Sequence, residues 1–175
     1  MKNRFLARLA LSGILLSGCV FAQAPEITFE STEVSPGIFM VEGVGGFGGG
    51  NMAVLVGNEY VAMIDDGLEP LAPKLLTHVT DTAGRSINFM INTHVHGDHV
   101  GGNAHFADSG TVIFAHDNIR KRLAANSAAA GGPGGLPVIT FADGVTFFLD
   151  GIEARVSHVP AAHTDGDAII YFPEA

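Results

Sequence analysis

The chain has 175 residues, enough for one modest domain, with 47% hydrophobic side chains and a formal net charge of −9. That acidic balance disfavours a general nucleic-acid binding role, which needs a basic surface, and no apolar run is long enough to span a bilayer. The single cysteine, Cys19, leaves the rest of the chain without an internal disulfide or a thiolate ligand.

Residues 1–24 read as an export signal. Lys2, Arg4 and Arg8 make a positive start, and residues 9–16 form a short apolar core. Two exits compete. Leu16-Ser17-Gly18-Cys19 resembles a lipoprotein box, in which the cysteine becomes lipidated. Val20-Phe21-Ala22 and Ala22-Gln23-Ala24 fit small-residue cleavage. Both send the protein out of the cytoplasm to the periplasm, soluble or lipid-anchored, touching membrane only through Cys19. Removing the signal leaves six basic residues against 18 acidic ones, a formal charge of −12.

Residues 25–175 read as one domain. Residues 38–41, 52–56 and 60–64 have strand composition, with Gly57-Asn58-Glu59 as a hairpin turn between the last two. Between the first two lies Gly43-Val44-Gly45-Gly46-Phe47-Gly48. It matches a dinucleotide fingerprint, but that motif must open a helix, and a strand-like run follows here. The glycine segment is instead a loop beside a site mouth, with Phe47 facing substrate, or a plain hairpin loop. Residues 69–82 read as a helix with Leu71, Leu75, Leu76 and Val79 on one face and Gly84 near its end. Residues 86–92 form a buried strand. A short helix is expected at 99–107, a strand at 111–115, a helix at 117–125 and a glycine-rich loop at 127–135. Residues 138–141, 145–149 and 152–158 read as antiparallel strands joined by Asp143-Gly144 and Asp150-Gly151 turns. A last strand-like run covers 168–172. The mixture indicates an α/β layered sandwich.

Thr93-His94-Val95-His96-Gly97-Asp98-His99 follows the C-terminal end of strand 86–92, where open α/β sheets bind ligands. Neutral imidazoles and carboxylates are the ligands zinc takes. On a regular strand Asp98 would share a face with His94 and His96, while His99 would point away. The segment must therefore turn, and Gly97 permits it. A second half-site lies downstream at His163, again after a strand-like run. His94, His96 and His163 around one zinc would leave a fourth position open, which is the catalytic rather than the structural pattern.

These pieces, with His163-Thr164-x-Gly166-Asp167 and the earlier Met63-Ile64-Asp65-Asp66-Gly67, resemble the metallo-β-lactamase-fold hydrolases over about residues 37–172. The resemblance implies an α/β, metallo-β-lactamase-like αββα sandwich. This chain would hold its N-terminal half to two-thirds, with the domain incomplete at the C-terminus. It implies that His94, His96 and His163 hold a first metal, that Asp98 and His99 hold a second, and that Asp65 braces the loop from beneath. The family pattern continues with a metal-bridging Asp and a later His beyond Ala175. The second metal is therefore expected to have Asp98 and His99 alone.

The expected function is a zinc-dependent hydrolase with one or two Zn2+ ions. Zinc lowers the pKa of bound water to roughly 7, and the metal-bound hydroxide attacks an ester, thioester, lactam or phosphoester of a small-molecule substrate. Asp98 is the catalytic residue, orienting the nucleophile and moving its proton. Two alternatives stand: a sulfur dioxygenase-like oxidoreductase with a single iron, which imidazole also suits, and an inactive metal-binding fragment. The remaining polar residues take structural readings. His78 lies on a helix surface, His105 and His116 are structural, and His158 is a strand residue. Asp167 shapes its loop as an acceptor, and Asn103 caps or braces the helix beside the metal loop.

Overall fold

The computed structural model describes residues 26–175, so the export-signal reading, with Cys19, lies outside the described residues. Seven strands form the first sheet in chain order: β1 (Thr28–Ser35), β2 (Ile38–Val44), β3 (Met52–Val56), β4 (Val61–Ile64), β5 (Phe89–Ile91), β6 (Val112–His116) and β7 (Ile139–Phe141). Pairing is antiparallel from β1 to β4 and parallel from β4 to β7. Parallel neighbours need long crossovers. Helix α1 (Ala72–Ala83) supplies the first, α2 (Gly97–Val100) and α3 (Asn103–Asp108) the second, and α4 (Asp117–Ala125) the third. A second sheet has three antiparallel strands, β8 (Gly144–Phe148), β9 (Glu153–His158) and β10 (Ala168–Tyr171), with β9 in the middle.

The layers follow from side-chain alternation. Along β3 and β4, Val54 and Met63 face one way and pack with Leu75 and Val79 of α1. Leu55, Ala62 and Ile64 face the other way and meet Phe147, Ala154 and Val156 of the second sheet. All four residues of β4 are buried, as a strand covered on both faces requires. Helix α1 starts with Pro73 in its first turn and ends at Gly84, whose φ of 67° provides the left-handed cap.

Two expectations are corrected. Residues 138–141 do not form an antiparallel hairpin with 145–149. Strand β7 joins the first sheet parallel to β6, and Asp143-Gly144 carries the chain across to the second sheet. The α4 crossover dictates this, and Phe141 fills the core between the sheets. The helix expected at 99–107 is split at Gly101-Gly102. A Cβ on Gly101 would stand 2.6 Å from the Glu69 amide nitrogen and 2.9 Å from the Gly67 carbonyl, so the chain must shed side chains there to pack against the 67–69 turn. Strand β1 has no hydrophobic pattern to betray it: it is an edge strand in which only Phe29 is buried.

The glycine-rich loop at 127–135 exists, folded as two 3-10 turns, Ser127–Ala130 and Pro133–Gly135. The outer face of the second sheet exposes Phe148, Ile169 and Tyr171. The described residues therefore build helix, sheet and sheet layers.

Candidate metal centre

The C-terminal ends of β4 and β5 and the β9–β10 connection meet at one end of the sandwich. Asp65 follows β4 directly, with φ of 58°. That left-handed conformation, tolerable for Asp, turns the chain out of the strand and leaves the carboxylate buried beneath the β5 loop. Asp65 accepts from the Thr93 amide at 2.7 Å, the Thr93 hydroxyl at 2.6 Å and His99 Nδ1 at 2.7 Å.

These bonds set a proton order. The Thr93 hydroxyl gives its one hydrogen to Asp65, so at 3.0 Å it can only accept from His94 Nδ1. His94 Nε2 is then left with its lone pair. His99 Nδ1 donates to Asp65 in the same way, which frees His99 Nε2.

His94, His96 and His163 converge. One nitrogen from each lies within 4.8 Å of the other two. Their rings are set edge to face, with centroids 4.7 to 5.1 Å apart and interplanar angles of 71° to 87°. His96 Nδ1 and His163 Nε2 are 2.9 Å apart. Two nitrogens on one tetrahedral zinc lie about 3.3 Å apart, from zinc–nitrogen bonds of about 2.0 Å. The three imidazoles therefore fit a metal with a small outward adjustment. His96 and His163 are exposed, so the cluster opens to solvent.

The second pair is arranged differently. His99 Nε2 lies 3.5 Å from Asp98 Oδ2, and the His99 ring packs on His94 with centroids 4.0 Å apart. Among the described residues, Asp98 joins no three-residue cluster. The second such cluster is Asp65, His94 and His99. We assign Asp65 to bracing, because both of its oxygens are already taken by Thr93 and His99.

The electrostatics separate the two regions. Burial pushes the His94 imidazole below its ordinary pKa, and the His99, His96 and His163 rings add to this against the pull of Asp65. Burial opposes protonation of His99 too, but the hydrogen bond to Asp65 and the charges of Asp65 and Asp98 outweigh it and raise its pKa. Asp66, next to the brace, is fully buried. Desolvation drives its pKa well above the usual carboxylate range, partly offset by the Gly102 amide, 2.8 Å from Oδ1. Its Oδ2 has no partner.

His163 is held by its own loop. Asp167 accepts from the amides of His163 and Thr164 and from the Thr164 hydroxyl, so it is the loop-shaping acceptor expected. Arg122 of α4 reaches Asp165 at 2.6 Å, and Asn118 donates to the Asp165 carbonyl at 2.8 Å. The Ala168 amide donates to the Thr93 carbonyl at 2.9 Å, tying the loops of the two sheets together. Beside the cluster, Val159, Ala162 and Ile169 line an open, mostly apolar groove. A separate hollow lined by Ser35, Ile38, Ile152 and Phe172 lies at the opposite end of the sandwich.

Asn103 braces as expected, with an unforeseen partner. Asn92 and Asn103 are wholly buried and exchange two amide hydrogen bonds of 3.0 Å, and Asn103 also donates to Gly135. His116 is buried at the start of α4, where Nδ1 accepts from the Asn118 amide, and its ring stacks on His158 at 3.7 Å. His78 is more than a surface residue: Nε2 meets Ser31 Oγ at 2.8 Å. The glycine motif at 43–48 leads into β3 rather than a helix, and Phe47 stands exposed on that loop.

Comparison with known proteins agrees with this fold. The family described as the metallo-beta-lactamase superfamily matches residues 45–175. A hydroxyacylglutathione hydrolase of Methylococcus capsulatus is 31% identical over 108 residues, which are 61% of this chain and 38% of that protein. Among solved structures, a metallo-beta-lactamase from Pontibacter korlensis superposes with a TM-score of 0.71 at 22% identity, over 84% of this chain and 68% of that one. BJP-1, a subclass B3 metallo-beta-lactamase of Bradyrhizobium japonicum, gives 0.68 at 18% identity, over 83% and 57%. The chain thus spans well under half of its curated relative and about 57 to 68% of these two structures.

Proposed function

The chain belongs to the metallo-beta-lactamase superfamily, and from that premise we propose that it is a zinc-dependent hydrolase of a small-molecule ester, thioester, lactam or phosphoester. The observation that carries this reading is the convergence of His94, His96 and His163 on one solvent-open point. Two imidazole nitrogens 2.9 Å apart must share either a proton or a cation, and the free His94 Nε2 beside them favours the cation. A divalent metal held there would supply a Lewis acid that activates water near neutral pH. In this reading His94, His96 and His163 hold the first ion, and Asp98 and His99 hold a second.

The chain's own residues would do the rest. Thr93 and Asp65 fix the His94 and His99 tautomers, so each presents an unprotonated Nε2. Asp98 stands at the open side with its carboxylate partly exposed, where it can orient a water and accept its proton. The groove of Val159, Ala162 and Ile169 would hold the apolar part of a substrate. Export, with the mature protein periplasmic and soluble or anchored through Cys19, is part of the same proposal and rests on residues 1–24.

The test combines metal analysis with turnover. The purified mature chain is expected to carry one or two zinc ions and to hydrolyse at least one member of an ester, thioester, lactam and phosphodiester panel. His96→Ala should lose metal and turnover together. Full hydrolysis by His96→Ala with metal still bound would overturn the reading. So would iron content with oxygen-consuming persulfide oxidation, or a zinc-loaded chain inert to the whole panel.

A further inference from the structure

The His163 ring is exposed, and among the described residues its side chain has one hydrogen-bond partner, His96. Pro160, Ala161 and Ala162 before it are exposed too. Its place is therefore set by the backbone that follows, residues 164–167. That strap lies on the first turn of α4. A Cβ on Gly166 would stand 2.8 Å from Ile119 Cγ1 and 3.5 Å from His116 Nδ1. The strap ends at Asp167, whose carboxylate accepts from the His163 amide. The carbonyl of Asp167 accepts from the Val159 amide at 2.8 Å and faces His158 Nδ1 at 3.0 Å.

The proton order at the two rings is fixed by their partners. A carbonyl only accepts, so His158 Nδ1 donates to Asp167. An amide only donates, so His116 Nδ1 accepts from Asn118 at 3.2 Å and the ring keeps its hydrogen on Nε2. Burial, and then the neighbouring His158, hold the His116 pKa below its ordinary value and favour that neutral form.

His116 ends β6 in the first sheet, and His158 ends β9 in the second. Their rings lie 3.7 Å apart and 11° from parallel. The stack thus joins the ends of the two sheets beside the strap. Each ring also holds a polar group that a phenylalanine could not: His116 caps α4, on which the strap rests, and His158 holds the strap's last residue. Among the described residues neither ring belongs to a group able to hold a metal.

We propose that the His116–His158 stack is a clasp that positions His163, so that two rings outside the ligand set govern how tightly the three-histidine centre holds its metal. The proposal rests on the reading of His94, His96 and His163 as ligands of one ion.

The test is calorimetric titration of the metal-stripped mature chain with Zn2+, alongside metal-free thermal melts. His116→Asn keeps a capping acceptor for α4 but removes the stacked ring. His158→Phe keeps a stacking ring but removes the donor to Asp167. Each should weaken zinc binding about ten-fold. Val79→Ala, in the core between α1 and the first sheet, should lower the melting temperature and leave zinc affinity unchanged. In a His163→Ala background, His158→Phe should weaken zinc binding no further. Wild-type zinc affinity in either clasp variant would overturn the proposal. So would an equal loss in Val79→Ala, or the same ten-fold loss without His163. Should one clasp variant fail to fold, the other decides; failure of both would make the rings supports of the fold and overturn the proposal as well. A wild type that binds no zinc would bring down the three-histidine reading itself, and the proposal with it.

Discussion

The two halves of the centre are built on opposite plans. His94, His96 and His163 come from loops of different sheets, and His96 and His163 are exposed. Their convergence depends on Asp167, Asp165 and Arg122 holding a distant loop in place. Asp98 and His99 are adjacent in sequence and share one helical turn. Asp65 grips the His99 ring from below, and Gly50 lies against its edge. The first half is assembled by the fold, whereas the second is local and shaped by the groups packed around it. Removing a ligand should therefore hurt most in the first half, and removing a support most in the second.

The largest effect is expected from His94→Ala. It takes away the one imidazole that touches both halves, since its ring packs on His96, His163 and His99 alike. Metal affinity should fall by more than the roughly 10–100-fold that loss of a supporting residue costs, and calorimetric zinc titration would measure it. Unchanged zinc affinity would break the comparison outright. Asp65→Ala comes next. It strips partners from the Thr93 amide, the Thr93 hydroxyl and His99 Nδ1, and a loss of roughly 10–100-fold in zinc affinity is expected. The weakening should be greater for the second equivalent, because His99 loses its bond directly and His94 only through Thr93. Equal weakening of both would mean that the proton order through Thr93 matters as much as the direct contact.

Asn103→Ala acts on the platform under both halves. It breaks the buried amide pair with Asn92 and frees the Gly135 carbonyl. Orphaned buried polar groups cost about 1–3 kcal/mol, which for a domain of this size lowers the melting temperature by roughly 2–10 °C. A drop without loss of zinc affinity would show that the amide pair supports the fold rather than the ligand geometry.

What the sequence revealed divides along the same line. The six residues from His94 to His99 carry their chemistry in their spacing, so the candidate ligands and the need for a turn were legible at once. His163 was legible as a second half-site after a strand, and its grouping with His94 and His96 came from the family resemblance. Its arrival beside His96 depends on β9 and β10 crossing from another sheet, which no local pattern encodes. Strand β7 was misassigned because its residues look the same in a hairpin as in a parallel crossover, and only the α4 connection decides between them. Strand β1 left no signal because an exposed edge strand has no apolar period. Gly50 gave none either, since one glycine in a run of them says nothing about the ring it will touch.

Asp66 sharpens the comparison most finely, because it is the neighbour of Asp65 and its opposite. Asp65 spends both oxygens on donors. Asp66 has one donor, the Gly102 amide, and an orphaned Oδ2 in a fully buried position. Its backbone amide holds the His99 carbonyl, so it forms the floor of the second pair. Burial raises the folded-state pKa well above the unfolded value, which is about 3.9. Below that unfolded value both states keep the proton and Asp66 adds no pH dependence. As the pH climbs past it, the unfolded chain releases a proton that the folded chain retains, so the folded state loses stability, by at most about 1.4 kcal/mol per pH unit, until the folded pKa is passed. Asp66→Asn cannot ionise. Its amide nitrogen is left without an acceptor, so it should be the less stable protein at low pH, and its melting temperature should gain on the wild type steadily above about pH 4. Parallel melting curves across pH 4 to 8 would mean that water reaches Asp66 and satisfies it as a carboxylate, and the floor of the second pair would then be charged like the brace beside it.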